Sequence, residues 1–151
     1  MASSTIKNLV PRINGNALVD NKTSANLGIG TNVTDKSWTT SIAVSNNSIK
    51  VYSSFSLEAG VWLATLTVDW PATNNTGQRN AFLSPNNDTA SWTDYGRGSC
   101  YVVPGCSSMS PTITTTVLIN LSATTTIYIK LWQNSGVSVN VSTVRVHCVR
   151  F

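Results

Sequence analysis

Few residues of this 151-residue chain are of the types that make and break bonds, and their spacing keeps them apart. The single histidine, His147, adjoins Cys148, which suggests a thiol and its base. Consecutive residues of a strand project to opposite faces, however, so the two cannot share the hydrogen bond that such a pair requires. Six acids, Asp20, Asp35, Glu58, Asp69, Asp88 and Asp94, are scattered, most of them in turn-like or loop-like surroundings. A glycosidase would need two of them held about 5–10 Å apart. Cys100 and Cys106 bracket the loop GSCYVVPGCSS, and a bond between them needs Cα atoms within about 7 Å. With three cysteines in all and no apolar secretion-signal core in MASSTIKNLVPRINGN, reduced thiols are the expectation. Zinc takes about four ligands, which one His beside one Cys does not supply. LGIG at 27–30 lacks the spacing of a dinucleotide fingerprint. The expectation is a protein with no catalytic residues, no metal and no cofactor.

Binding chemistry is better represented. The stretch from 85 to 111 is the longest without clear periodicity, and loops of that length in a compact domain are often functional. Within it Trp92, Asp94, Tyr95, Arg97 and Tyr101 mix aromatic rings with hydrogen-bonding and charged groups. Sugars present apolar C–H faces and hydroxyl edges, so an apolar wall with a few placed polar groups suits them. These five residues are the predicted ligand-binding set. The competing reading is a loop folded over the end of a sandwich, with Trp92 and Tyr101 as its anchors.

The elements that must position such a loop follow from composition and pattern. Charged residues are only 11% of the chain, under half the usual share of about 25%, so neutral polar groups must cover the surface. The 20 Ser, 20 Thr and 16 Asn supply them. Disorder is excluded by the 41% of hydrophobic residues, which are rich in Val and Ile and include five Trp. The ten Lys and Arg are spread from Lys7 to Arg150 without a basic stripe, which argues against nucleic acid. No apolar run approaches the ~20 residues of a transmembrane helix, which argues against a membrane span. Asn-x-Ser/Thr triplets at Asn21, Asn32, Asn46, Asn74, Asn87, Asn120 and Asn140 are read as a product of composition rather than as glycosylation sites.

Residues 1–36 show little alternation and read as an extended N-terminal arm or attachment segment; residues 37–151 read as the folded head. There SWTTSIAVS puts Trp38, Thr40, Ile42 and Val44 on one face, and IKVYSSFSL puts Ile49, Val51, Phe55 and Leu57 on one face. VWLATLTVDWP follows with Trp62, Ala64, Leu66, Val68 and Trp70, until Pro71 ends the strand. RNAFLS is a short strand. TITTTVLINL aligns Ile113, Val117, Ile119 and Leu121, and TIYIKLW turns Ile127, Ile129 and Leu131 one way and Tyr128, Lys130 and Trp132 the other. Asn134-Ser135-Gly136 predicts a tight hairpin into Val137, Val139 and Val141. The inward parity then switches at Ser142-Thr143 before the last strand, VRVHCVRF. No segment carries a helical period over three turns. The predicted fold class is all-β: an antiparallel two-sheet sandwich or jelly roll of about eight strands.

The order FSLEAGVWLATLTV, GQRNAFLS, VLINLSATTTIYIKLWQNSG and a terminal strand ending VRF resembles the jelly-roll heads at the tips of phage tail fibres. Those heads are similar to the trimeric tumour-necrosis-factor and complement globular-head domains. The resemblance covers residues 38 to 151. It implies a TNF-like jelly roll of eight or ten strands, a homotrimer, and binding to a host cell-surface saccharide or protein. It also implies a place on the virion, tail or capsid, with other virion proteins held through the N-terminal arm. Trp62, Trp70, Tyr52, Tyr128 and Trp132 are more large aromatics than one small sandwich readily encloses, which fits cover by a neighbouring subunit. The rival expectation is a purely structural virion protein, a head fibre or decoration protein, or a spore or cell-surface jelly roll.

Overall fold

The computed structural model describes residues 33–103 and 110–151, together with two two-residue strands near the N-terminus, β1 (Arg12–Ile13) and β2 (Asn16–Ala17), which pair antiparallel. Ten further strands follow: β3 (Val33–Trp38), β4 (Ile42–Val44), β5 (Lys50–Leu57), β6 (Gly60–Asp69), β7 (Gly77–Ser84), β8 (Gly96–Val102), β9 (Thr112–Leu121), β10 (Thr125–Gln133), β11 (Val139–Val141) and β12 (Thr143–Arg150). Eight of them build two four-stranded antiparallel sheets, β3-β12-β6-β9 and β5-β10-β7-β8, while β4 and β11 pair separately. Counted among those eight, the orders are first-eighth-third-sixth and second-seventh-fourth-fifth. Each strand but one is thus followed by a strand of the other sheet or by a long return, which is the double Greek key of a jelly roll. The predicted fold class holds.

The core is the apolar side of each alternation. Trp62, Ala64, Leu66 and Val68 of β6 and Val144, Val146 and Cys148 of β12 face Phe55 and Leu57 of β5, Ala81 and Leu83 of β7, and Ile127, Ile129 and Leu131 of β10, all buried. Burial of a Leu, Ile or Phe side chain contributes about 1.5–3 kcal/mol, so these positions carry the fold. Trp62 is among them, and Trp70, one residue past β6, is buried too: this chain's own sandwich encloses both.

Several local expectations need correction. The stretch 38–44 is not one strand, because β3 ends at Trp38 and β4 begins at Ile42 to pair with β11. Val51 does not continue the face of Phe55 and Leu57: a register shift opposite Ile129 and Lys130 places Val51 across from Lys130, and Tyr52 packs on the core instead. Asn134-Ser135-Gly136 does reverse the chain, with Gly136 at φ 82°, but it makes no hairpin. β10 pairs with β5 and β7 whereas β11 pairs with β4, so the turn carries the chain away from its sheet, and Val137 is exposed.

Buried Gln133 stands at that departure. Its Nε2 donates to the carbonyls of Val44 (3.0 Å) and Val137 (2.6 Å), and its Oε1 accepts from Ser135 N and Oγ, both at 2.6 Å. One side chain thereby satisfies backbone groups that a hairpin would have paired. β3, from Val33, pairs with β12 along its length. The remainder of the expected N-terminal arm lies outside the described residues, apart from β1 and β2.

The expected loop 85–111 contains a strand. β8 pairs with β7 from Gly96 to Val102, and its inward positions include Gly96 and Gly98. A Cβ on Gly96 would lie 1.7 Å from Val117 Cγ1, and one on Gly98 would lie 2.5 Å from Ile113 Cγ2. The edges of the two sheets, β8 and β9, come together there, and only glycine leaves room. With no apolar side chain at those inward positions, the strand shows no hydrophobic alternation. The true loop is 85–95, and it lies over the outer face of β5-β10-β7-β8. Beneath it Phe82, Ser84 and Lys130 are fully buried although they point away from the core.

Candidate functional site

The loop is fastened from below by groups that the sheet supplies. Lys130 Nζ donates to Asn86 Oδ1 at 2.8 Å and to the carbonyl of Asp88, and burial holds its pKa below the usual lysine range, against the opposing pull of Asp88. Ser84 Oγ donates toward the carbonyls of Asn86 (3.1 Å) and Thr93 (2.7 Å), and Tyr95 N donates to Leu83 O (2.8 Å). Each end of the loop is thus tied to β7 or β10.

On that footing the predicted residues divide. Trp92, Asp94 and Arg97 come together. Trp92 stacks on Phe82 (centroids 5.7 Å apart) and meets Trp132 edgewise (5.3 Å, 64° between planes). The Arg97 guanidinium stands 4.6 Å from the Trp92 ring and 5.2 Å from Phe82, and it bonds Asp94 Oδ2 at 2.5 Å and the Trp92 carbonyl at 3.1 Å. The ion pair holds the guanidinium against the indole, where cation–π attraction adds to the stacking. Tyr95 turns inward and packs against the core cluster. Tyr101, 65% exposed, shares the outer face of β8 with Arg97 but sits four residues along, about 13 Å away at the rise of a strand. It does not anchor the loop. The set is therefore a three-residue cluster, an inward tyrosine and a separate exposed one.

Sequence reading missed the partners that complete the cluster. Trp132, on the outer face of β10, borders a cleft of about 310 Å³ with Trp92, together with Asn47, Ser48 and Thr89. Asn47 and Ser48 lie in the turn before β5, where Asn47 has φ 55° and its N–H donates to Gln133 O at 2.8 Å. The available signals were the outward phase of Trp132 on its strand and the Asn46-Asn47 turn. Nothing in the order of residues joins them to a loop some forty positions away.

The outer face of the other sheet has a different character. In register across all four strands run Val33, Val149, Leu63 and Leu118, with Phe151 and Val61 in the adjoining row. Leu118 is 65% exposed. The next rows hold a cross-strand contact of His147 Nδ1 with Asp35 Oδ1 (2.5 Å), an ion pair of Arg145 with Asp69 (2.6 Å), and two threonine pairs, Thr65–Thr116 and Thr67–Thr114. Cys148, on the opposite side of β12 from His147, is buried, and burial and then Asp35 push its thiol up to about 12. The neighbouring imidazole and thiol thus face different environments. Among the described residues no three His, Cys, Asp or Glu side chains gather in a way that would hold a metal ion.

A second buried cation lies toward one end of the interior. Arg79 is fully buried, its guanidinium 5.9 Å from the Trp70 ring and donating to the carbonyls of Gln78 and Asn75 at 3.2 and 3.3 Å. Desolvation lowers its pKa, opposed by Cys100 across the strand pair, and burial raises that of Cys100. Cys106, the expected partner of Cys100 in any disulfide, lies outside the described residues.

No protein-family model matches the chain, and no curated protein matches it.

Proposed function

We propose that this chain forms the non-enzymatic attachment head of a virion: a homotrimer on a tail or capsid surface whose loops contact a host cell-surface glycan or protein. The observation that carries the trimer is the apolar row Val33, Val149, Leu63 and Leu118. A monomer gains nothing from holding Leu118 and Leu63 in water side by side, and contiguous exposed apolar surface on a small domain marks an interaction site. Beside the row Arg145 and Asp69 neutralise each other, which limits repulsion of a second copy at that point. A closed ring built from one repeated contact meets the symmetry rule for homo-oligomers. The contact function draws on the aromatic cluster of the loop, at the face of the molecule opposite the apolar row.

Sedimentation velocity tests the assembly: the 16.2 kDa chain is expected to sediment as three copies at micromolar concentration, and Leu118→Asp as one. A monomeric wild type overturns the trimer. Host-cell binding by the labelled protein tests attachment. One observation favours a purely structural virion protein instead: Asp94 and Arg97 satisfy each other and Tyr95 faces the core, so much of the loop's chemistry serves its own folding. A trimer that binds no host cell would decide for that reading.

A further inference from the structure

We infer that Lys130 and Asn86 are the two ends of an internal isopeptide bond, an amide formed between the lysine Nζ and the asparagine Cγ with release of ammonia. This goes beyond the attachment reading and does not depend on it. The two side chains already meet, since Lys130 Nζ donates to Asn86 Oδ1 at 2.8 Å. A carbonyl bond of about 1.23 Å then puts Cγ within about 4 Å of Nζ, near the roughly 3–3.5 Å at which reacting atoms are poised. Both ends are held in place. Lys130 belongs to β10, an interior strand of its sheet, and Asn86 stands two residues past β7. There Ser84 pins it, its Oγ donating to the Asn86 carbonyl and accepting from the Asn86 N–H.

An amine attacks only when it is unprotonated, and the surroundings of Lys130 favour that form. The side chain is fully buried, and desolvation, opposed by Asp88, holds its pKa below the usual lysine range. Its two acceptors, Asn86 Oδ1 and the Asp88 carbonyl, are neutral. Among the described residues it joins none of the ion pairs. An ammonium brings three N–H donors, and burying its charge without a carboxylate partner is costly. Conversion to an amide removes that charge altogether. Phe82 lies directly across from Lys130 on β7, and Trp92 and Trp132 close over the same face. This aromatic cover limits the water that would compete for Cγ.

The step balances without a co-reactant. Asp88, whose carboxylate acts on the Lys130 charge, takes a proton from the ammonium. The freed Nζ electron pair adds to Asn86 Cγ, and negative charge builds on Oδ1, which Ser84 Oγ approaches to 3.4 Å. One Nζ proton passes to Nδ2, the Cγ–Nδ2 bond breaks, and ammonia leaves, taking up the proton that Asp88 holds. Asp88 is exposed, so the ammonium has a way out to solvent.

The intact mass of the full chain, kept folded at mildly alkaline pH, tests this. Wild type is expected to be lighter than its sequence by one ammonia. Trypsin digestion of the denatured chain is expected to yield one branched peptide joining residues 80–97 to 98–145, because a joined Lys130 is no longer cut. Asn86→Ala and Lys130→Met each remove one partner, and both are expected to keep their full mass and the circular dichroism of a folded sandwich. Asp88→Asn is expected to leave most of the chain unjoined when wild type has finished. Folded wild type that still has its full mass after days overturns the bond. So does an ammonia loss that survives Lys130→Met, since Asn86 would then have closed on its own backbone as a cyclic imide. Closure in Asp88→Asn that matches wild type overturns the proton route given to Asp88.

Discussion

Replacing Gly96 with alanine tests whether the two sheet edges close on each other as described. The added methyl would stand 1.7 Å from Val117 Cγ1 and 3.0 Å from Val117 Cβ, against the 3.5–4.0 Å of an ordinary carbon contact. Val117 is β-branched and stiff at χ1, so it cannot simply swing aside. Overpacking of this kind costs about 1–3 kcal/mol. Gly96 has no left-handed backbone to protect, so alanine also narrows the unfolded ensemble and returns about 0.4–1 kcal/mol. The net expectation is a loss of about 1–2 kcal/mol, and at about 2–4 °C per kcal/mol for a chain of this size, a fall in Tm of roughly 2–8 °C. Urea or thermal unfolding at fixed protein concentration measures it. Val117→Ala removes the closest atom, so in that background Gly96→Ala should cost less, by a coupling of about 1 kcal/mol. Additivity within about 0.5 kcal/mol, or a Gly96→Ala variant more stable than wild type, would refute the close approach.

Three further outcomes follow from the geometry. Gln133→Leu should destabilise by about 2–4 kcal/mol, because the Val44 carbonyl and the Ser135 N–H lose their partner where little water reaches, and denaturant midpoints check this. Lys130→Met should leave the sandwich folded but free the loop, read as increased acrylamide quenching of tryptophan fluorescence with an unchanged far-ultraviolet spectrum. Cys148, whose thiol is held up to about 12 against an unfolded value near 9, favours the protonated form in the fold; its stabilising contribution is complete below pH 9 and lost as pH rises from 9 toward 12. Peptide-mapped alkylation should accordingly find Cys148 unreactive at pH 8 until the chain unfolds, and Cys148→Ser should behave differently in an alkaline titration of stability.

Strands β6, β9 and β12 were legible in the sequence because each has one face in the core and an outer face that reaches water, and β10 because its outward positions Tyr128, Lys130 and Trp132 are of other types than its core leucine and isoleucines, although the loop covers part of that side. β7 read as shorter than it is, since the loop buries its outer side and Asn80-Ala81-Phe82-Leu83 offers no polar phase. β8 was invisible for the opposite reason: its inward side is partly glycine. The candidate site was half legible. Trp92, Asp94 and Arg97 are near neighbours in sequence and meet; Tyr95 is drawn to the core because the chain enters β8 there. Trp132, Asn47 and Ser48 join only through strand order, which local pattern does not encode.

The placement of basic residues has one more consequence. From Val33 onward, Lys36, Lys50, Arg79, Arg97, Lys130, Arg145 and Arg150 all lie within strands. A protease that cuts after lysine or arginine needs several residues of slack, extended chain, and no loop of the described head offers it such a bond. Digestion by trypsin must then wait for the head to unfold, so its rate should track global opening. In a protease-rich medium the folded head would persist for as long as it stays closed.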